Sequence, residues 1–280
     1  MKAILNFKTV NAYIELHKQM KLPFTLYMSN YTTRIKSLAY DLHFMKKEQS
    51  NRVFAAFNMI KSDVKKKPLP KIIHNNLQYF SEAFMPTNMY MEKIFNFDLK
   101  SAYASILFNE GFISKKTFNF INKLPKQDRL AAVGMLAGKK NIFEIDCNGE
   151  VVSDETVISE TADYFFYCVK RTFEIIKGAA KILGEGFLFS WVDGIYFYEN
   201  EDSAENSAKI ITELYFKEKG FLVTFEKLEK FTVIVKKGYY HCSYVKKNKE
   251  GISQTKTMNV PKKENEFVTK INNYLLNLNN

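Results

Sequence analysis

The sequence has few of the residues that build disulfide frameworks or zinc sites. Its 280 residues include three cysteines, Cys147, Cys168 and Cys242, which lie far apart and outside any C-x-x-C spacing. This pattern excludes a disulfide-stapled fold and a zinc ribbon, and it indicates a reducing compartment. The four histidines are scattered and show no metal-ligand spacing.

Long apolar runs are also absent. None approaches the roughly 20 residues that a membrane-spanning helix needs, and Lys8 interrupts the N-terminal segment too early for a signal peptide. We therefore expect a cytoplasmic protein, in the interior of a host cell, with no membrane partner.

Aromatic and basic residues are abundant instead. The chain has 25 Phe, 16 Tyr and a formal net charge of +11. That charge divides into +9 over residues 1–90, −4 over 91–235 and +6 over 236–280. Basic flanks around an acidic middle suit a nucleic acid whose reacting phosphate lies over a metal-bearing acidic centre. A solvated, lysine-rich surface accounts for the charge equally well.

Hydrophobic periodicity gives a coarse map of the chain. Residues 1–60 are expected to be mainly helical, and the basic, proline-containing stretch 65–71 to be a linker. Asn148-Gly149 predicts a hairpin turn. The remaining predicted elements are a helix over 155–183, a helix over 203–219, strands over 221–225, 231–235 and 239–244, a loose tail over 246–263 and a helix over 264–278.

One stretch stands out, residues 94–108. An apolar run leads to Asp98, and small and polar residues follow, which predicts a buried strand that ends at Asp98 and turns into a helix near Ser101. Backbone N–H groups at such a helix start can hold phosphate oxygens. An acidic residue at a strand-to-helix turn is more often a simple helix cap.

A second acidic turn is predicted within residues 187–198, which read as two short strands with Asp193-Gly194 at their hairpin turn. In an α+β sheet with helices on one face, Asp98 and Asp193 can meet on adjacent central strands. Two facing carboxylates repel, so we expect Mg²⁺ between them. Two such ions, for which Mn²⁺ can substitute, would activate a 3′ hydroxyl and stabilise a leaving pyrophosphate.

Three segments resemble motifs of family B DNA polymerases. Segment 98–105, D-L-K-S-A-Y-A-S, resembles motif A, D-x-x-S-L-Y-P-S. Segment 191–197, W-V-D-G-I-Y-F, is similar to motif C, D-T-D-S-I-F-V, with Trp191 in place of the first aspartate. Segment 225–240 is similar to the family's F-E-K strand and K-K-x-Y motif. The three motifs stand in the family's order over roughly residues 88–245.

Motif B is matched less well. Residues 129–138 keep a cation and a late glycine but lack the Asn and Tyr of K-x-x-x-N-S-x-Y-G. This departure weakens the expected contact with the incoming base pair.

The resemblance implies roles at the reaction centre. Asp98 and Asp193 would be the catalytic metal ligands, helped by the Leu99 carbonyl.

For the nucleotide, the resemblance implies that the N–H groups of Ser101 and Ala102 hold phosphates. Tyr103 would pack under the sugar and exclude a 2′ hydroxyl. Arg129, helped by Lys126, would contact the triphosphate. Tyr103 could equally be a core aromatic.

For the primer, the resemblance implies that Lys236, Lys237 and Tyr240 grip the primer end and that Glu226 belongs to the DNA-binding set. The two lysines could instead be a surface pair, and Glu226 could pair only with a neighbouring lysine.

The fold class expected from this resemblance is α+β, a polymerase-type palm with an antiparallel sheet backed by helices. Residues 88–105 and 141–244 would form the palm, and 106–140 reduced fingers. Residues 1–87 would form a basic, mainly helical N-terminal region, and 245–280 a basic thumb-like tail. The chain has no room for an exonuclease ahead of motif A.

The expected function is a template-directed DNA polymerase without proofreading, which extends a DNA primer-template with dNTPs. A protein partner could supply exonuclease, priming or processivity. A primase or terminal transferase on the same palm remains open, and so does a catalytically inactive palm that binds nucleic acid or a partner subunit.

Overall fold

The computed structural model describes residues 7–29, 32–45, 51–67, 69, 88–198, 205–248 and 250–261. In these ranges the chain is an α+β protein with two antiparallel sheets, so the predicted fold class is confirmed at this level. No helix in the same ranges is long and apolar enough to cross a membrane.

Strands and helices are numbered along the chain. The strands are β1 (Phe24–Ser29), β2 (Thr32–Lys36), β3 (Asp41–Met45), β4 (Met89–Leu99), β5 (Lys139–Ile145), β6 (Val151–Ile158), β7 (Phe187–Trp191), β8 (Gly194–Phe197), β9 (Val223–Val235), β10 (Tyr239–Lys247) and β11 (Ser253–Pro261). The helices are α1 (Phe7–Met20), α2 (Asn51–Val64), α3 (Ala102–Asn109), α4 (Lys115–Asn122), α5 (Lys126–Gly134), α6 (Ala162–Leu183) and α7 (Glu205–Glu218).

The chain forms two compact units. The first comprises Met1–Leu69 and Phe112–Phe166, and the second comprises Pro70–Gly111 and Tyr167–Asn280. Each unit contains one of the two sheets.

The sheet of the first unit has the strand order β3-β2-β1-β5-β6. Alternate residues of its strands point to one face, where Phe24, Leu26 and Ile35 are buried. Two residues of α1, Tyr13 and Ile14, pack against this cluster. One face of the sheet therefore forms the core of the first unit.

The N-terminal region differs from the prediction. Helices α1 and α2 are present, but three strands lie between them, so the helical interpretation of Leu38, Leu42 and Phe44 is wrong. Leu38 is fully exposed at the turn between β2 and β3, and Phe44 is buried on β3. The spacing of these apolar residues fits two short strands joined by a turn as well as it fits a helix.

The hairpin predicted around Asn148-Gly149 is present and joins β5 to β6. The Asp146 carboxylate accepts hydrogen bonds from the N–H groups of Asn148 (2.9 Å) and Glu150 (2.8 Å), and Gly149 has a φ of +81°. The prediction that this hairpin belongs to the same sheet as Asp98 is wrong, however. β5 pairs with β1 in the first unit, so the sheet that contains Asp98 does not include residues 141–158.

The sheet of the second unit has the strand order β11-β10-β9-β4-β8-β7. β4 is central and pairs with β9 on one side and β8 on the other. One part of its core is the phenylalanine cluster, whose rings lie 5.2–5.7 Å apart and belong to Phe95, Phe97, Phe197 and Phe225. A second buried cluster lies among β4, β7, β9, β10 and β11 and includes Ile94, Phe189 and Phe231. Phe216 of α7 packs edge-on against Phe97 at 5.9 Å. Helix α7 therefore covers the face of the sheet that carries the phenylalanine cluster.

Two other predicted regions are also revised. The segment predicted as a loose tail contains the end of β10 and all of β11, which completes the sheet of the second unit. The predicted fingers, 106–140, are divided, since α3 belongs to the second unit and α4 and α5 to the first. The helix predicted over 264–278 lies outside the described residues.

Asp63 connects α2 to the start of α4 in the first unit. Its carboxylate accepts hydrogen bonds from the Ser114 N–H (2.9 Å), the Ser114 hydroxyl (2.8 Å) and the Thr117 hydroxyl (2.6 Å). Burial tends to raise the pKa of Asp63, but these hydrogen bonds outweigh it, and the pKa is lowered. The ionised carboxylate therefore stabilises the fold.

We expect Asp63→Asn to lower the free energy of unfolding at pH 7 by about 1–2 kcal/mol, because an amide cannot accept all three hydrogen bonds. A lowered folded-state pKa stabilises above the unfolded value, near pH 4, and this stabilisation is lost as the pH falls through the folded value. The difference between the proteins should therefore shrink in acid. Urea unfolding at several pH values measures it, and the exposed Asp154→Asn is the control. A difference that persists in acid would contradict this account.

Candidate active site

The chain turns sharply after Asp98, as the sequence predicts. β4 ends at Leu99, Ser101 takes a left-handed conformation (φ +52°), and α3 begins at the next residue. The N–H of Lys100 donates to the Leu222 carbonyl at 2.8 Å and ties this turn to the start of β9. The N-cap position of α3 is Ser101, so Asp98 is not the cap of this helix.

The second acidic turn differs by one residue from the prediction. The turn between β7 and β8 consists of Val192 and Asp193, whereas Gly194 is the first residue of β8. A side chain at Gly194 would place its Cβ 3.3 Å from the Asn96 amide nitrogen. That nitrogen donates to the Ile195 carbonyl at 3.2 Å, so glycine here permits close packing of β4 and β8.

The two acidic turns meet in the second unit. Asp98 lies opposite Gly194 in the β4–β8 pairing, and the Leu99 N–H donates to the Asp193 carbonyl at 3.0 Å. Opposed residues of an antiparallel pair have Cα atoms roughly 4.5–5.5 Å apart. Both aspartates are half-buried. Residues 95 positions apart in the chain are thus neighbours at one end of the central strands.

At the end of β4 that carries Asp98, the acidic side chains and the phenylalanine cluster lie on opposite faces of the sheet. Because side chains alternate between faces, Asp98 shares a face with Asn96 and, through the strand pairing, with Tyr196 and Glu226. The phenylalanine cluster occupies the opposite face, against α7. The face of Asp98, here called the acidic face, becomes apolar further along β4, where Ile94 and Leu228 are buried in a second hydrophobic cluster that Tyr196 packs against.

Two tyrosines respond to the charge of this face. Burial, followed by the nearby charge of Asp193, raises the pKa of Tyr103. Burial also raises the pKa of Tyr196, with further contributions from Tyr244, Asp98 and Glu226. Both phenols therefore remain protonated at neutral pH. Tyr196 was not singled out from the sequence, although its position two residues after Gly194 puts it on the same face.

The donor set fits a hard divalent cation. Asp98 and Asp193 supply carboxylate oxygens, and Leu99 is the adjacent residue whose carbonyl could contribute. Within the described ranges, no group of three or more His, Cys, Asp or Glu side chains could hold a metal ion. Mg²⁺ is commonly held by one or two carboxylates, waters and substrate phosphates, so a pair of aspartates is sufficient for it.

The predicted nucleotide contacts fall into two groups. Ser101, Ala102 and Tyr103 lie at the start of α3, directly after Asp98 in the second unit. Lys126 and Arg129 lie on α5 in the first unit. The Arg129 guanidinium donates to the carbonyls of residues 122 and 124 at 3.4 and 3.3 Å, which gives it a structural role at the turn before α5. Its contact with a triphosphate stays a prediction.

The predicted primer contacts are also separated. Lys236 and Lys237 occupy the turn between β9 and β10, and Tyr240 lies at the start of β10. Thr224, opposite Asp98, is at the other end of β9, and Lys230, between these two ends, interrupts the extended backbone with a φ of +52°. The contact of Lys236, Lys237 and Tyr240 with a primer end stays a prediction.

Glu226 lies on the same sheet face as Asp98 but already has a partner. It forms an ion pair with Lys246, with the ammonium nitrogen 2.5 and 2.6 Å from its two carboxylate oxygens. The alternative that Glu226 pairs with a nearby lysine therefore agrees with the structure. Lys246 was missed because the pairing depends on the β9–β10 register, which shifts between Ser243 and Val245.

Val192 provides a test of the hairpin turn. It has a φ of +54°, a left-handed conformation that is unfavourable for a β-branched residue, and its side chain is 63% exposed. We expect Val192→Asn to raise the free energy of unfolding by about 1 kcal/mol, because Asn tolerates this conformation and little packing is lost. Urea unfolding measures the change. Val192→Thr, which keeps the branched Cβ, should leave stability unchanged, and an equal gain in that variant would refute the explanation.

Comparisons with known proteins do not assign the chain to a family. A scan against protein-family models finds no matching family, and a search of curated proteins finds no similar sequence. The case for a function therefore rests on the residues described above and on their geometry.

Proposed function

We propose that the second unit is the catalytic palm of a template-directed DNA polymerase that extends a primer 3′ hydroxyl with dNTPs and does not proofread. The observation that carries the proposal is the register of β4 and β8, which brings Asp98 beside Asp193 at adjacent strand ends. The motif resemblance relates these two residues to the metal ligands of family B polymerases. The register of β4 and β8 is a separate observation from the motif resemblance, and it supports the same assignment.

Asp98 and Asp193 would hold the cations, with the Leu99 carbonyl nearby. Bound Mg²⁺ would supply charge neutralisation for the attacking and leaving oxygens of an in-line phosphoryl transfer. The remaining contribution of the protein is positioning of the primer end and the nucleotide over this acidic face.

The start of α3 would contact the nucleotide phosphates. The Ser101 side chain makes no capping hydrogen bond to this helix, so the N-terminal amides of α3 are not capped by their own N-cap residue. Amides at a helix N-terminus attract phosphate oxygens. Their position directly after Asp98 would place the triphosphate next to the cations.

Loss of either carboxylate should abolish the reaction. We expect Asp98→Asn and Asp193→Asn to reduce Mg²⁺-dependent primer extension by at least roughly a thousandfold, because each removes a charged metal ligand. Both variants should still fold and bind a primer-template. Extension of a labelled primer on a DNA template, with dNTPs and Mg²⁺, measures the loss.

The control is Glu92→Gln, which removes an exposed carboxylate from the same strand, β4, and should extend as well as the natural protein. Undiminished extension by either aspartate variant would refute the proposal. The same assay without primer identifies a primase, and one without template identifies a terminal transferase. If the natural protein shifts DNA but adds no nucleotide with Mg²⁺ or Mn²⁺, the palm is an inactive binding module.

Tyr103 would determine the choice of sugar. Burial, followed by the nearby charge of Asp193, raises the pKa of Tyr103, and the half-buried side chain lies beside the proposed nucleotide site. We expect Tyr103→Ala to increase the ratio of ribonucleotide to deoxynucleotide incorporation at least about tenfold, because the ring no longer obstructs a 2′ hydroxyl.

The matched variant is Tyr103→Phe, which keeps the ring and removes only the hydroxyl group. It should retain the natural discrimination, as measured by kcat/KM for paired rNTP and dNTP substrates. If Tyr103→Ala leaves this ratio unchanged, Tyr103 serves packing alone.

A further inference from the structure

A third carboxylate lies beside the aspartate pair. Glu226 and Tyr196 both pair with Asn96, from opposite sides of β4, and Asp98 is two residues further along the same face. Diagonal neighbours on a sheet face are about 7–8 Å apart, which is within reach of a long side chain. Glu226 therefore lies near Asp98 on the same face, although in the described residues these carboxylates do not together form a metal-binding group.

Lys246 forms an ion pair with the Glu226 carboxylate. Its ammonium group contacts both oxygens of Glu226, at 2.5 and 2.6 Å, and both side chains are about one-third exposed. Lys246 comes from β10, on the side of β9 away from β4. A single cation shared by both oxygens competes directly with any metal for Glu226.

Among the described residues, the ion pair that Glu226 forms is with Lys246. The other side chains that respond to its charge are Tyr196 and Tyr244, whose pKa values are raised first by burial and then by neighbouring charge. Neither neutral phenol can balance a carboxylate. Lys246 is therefore the described group that compensates Glu226.

We propose that Lys246 keeps Glu226 out of the cation site and so limits the reaction centre to two carboxylates. Lys246 would be a positioning residue that sets the charge of the site rather than a catalytic one. This inference rests on the proposed function, since it takes Asp98 and Asp193 as the cation ligands. Affinity for hard cations rises with the number of charged ligands, so a free Glu226 would tighten the site.

The test is Mn²⁺ binding to the full chain without DNA or nucleotide, measured by electron paramagnetic resonance of the unbound ion. We expect Lys246→Met to bind Mn²⁺ roughly fivefold more tightly, because it removes a positive charge and frees a carboxylate. Lys246→Arg, which keeps the charge, should bind like the natural protein. In the double variant Glu226→Gln with Lys246→Met, the gain should disappear.

Several results would overturn the inference. One is unchanged Mn²⁺ affinity in Lys246→Met, and another is a gain that persists when Glu226 is also replaced. Should Lys246→Met fail to fold, as judged by circular dichroism, Lys246→Gln provides the same loss of charge with a polar side chain.

Asp98→Asn and Asp193→Asn separate this inference from the proposed function. If they lose Mn²⁺ binding while Lys246→Met changes nothing, the role of Lys246 is refuted and the aspartate site stands. If they bind Mn²⁺ as the natural protein does, the aspartate site itself is refuted, and this inference falls with it.

Discussion

The pairing of β4 with β8 is the interaction on which the candidate site depends. It sets Asp98 opposite Gly194 and lets the Leu99 N–H donate to the Asp193 carbonyl. A slip of one residue would exchange the faces of β4, moving Asp98 to the covered side and Phe97 to the acidic side. The phenylalanine cluster opposes such a slip because its rings fit only one register. The phenylalanine cluster therefore helps to hold β4 and β8 in the register that brings Asp98 beside Asp193.

Left-handed backbone conformations occur in the turns next to Asp98 and Asp193. Among the described residues, four other than glycine have a positive φ, and two of these, Ser101 and Val192, are in the turns that present the aspartates. Such conformations cost of order 1–3 kcal/mol each and are often found where function requires an unusual backbone. At Ser101 the left-handed turn starts α3 directly after the strand end. At Val192 it allows a two-residue turn that holds Asp193 against the end of β4.

The site was more predictable from sequence than the rest of the fold, for a physical reason. The turn after Asp98 and the hairpin at Asp193 are encoded locally, by apolar runs that end in an acidic residue. The strands of the first unit are short, and apolar residues such as Leu42 and Phe44 fit helical and extended spacing equally well. Placing the β5–β6 hairpin required knowledge of long-range pairing with β1. The sequence could not predict Lys246 as the partner of Glu226, because a register shift in β10 decides which residue lies next to Glu226.

Whether Asp98 is a helix cap or a ligand is the central alternative, and the geometry bears on it. A capping residue occupies the N-cap position and accepts from the first amides of its helix. In this chain Ser101 holds that position, and Asp98 is still within β4, on a face shared with Glu226. Placing two aspartates at adjacent strand ends is electrostatically unfavourable unless a cation balances them. In the proposed function, a bound divalent ion would balance the charges of Asp98 and Asp193, while Lys246 is engaged with Glu226.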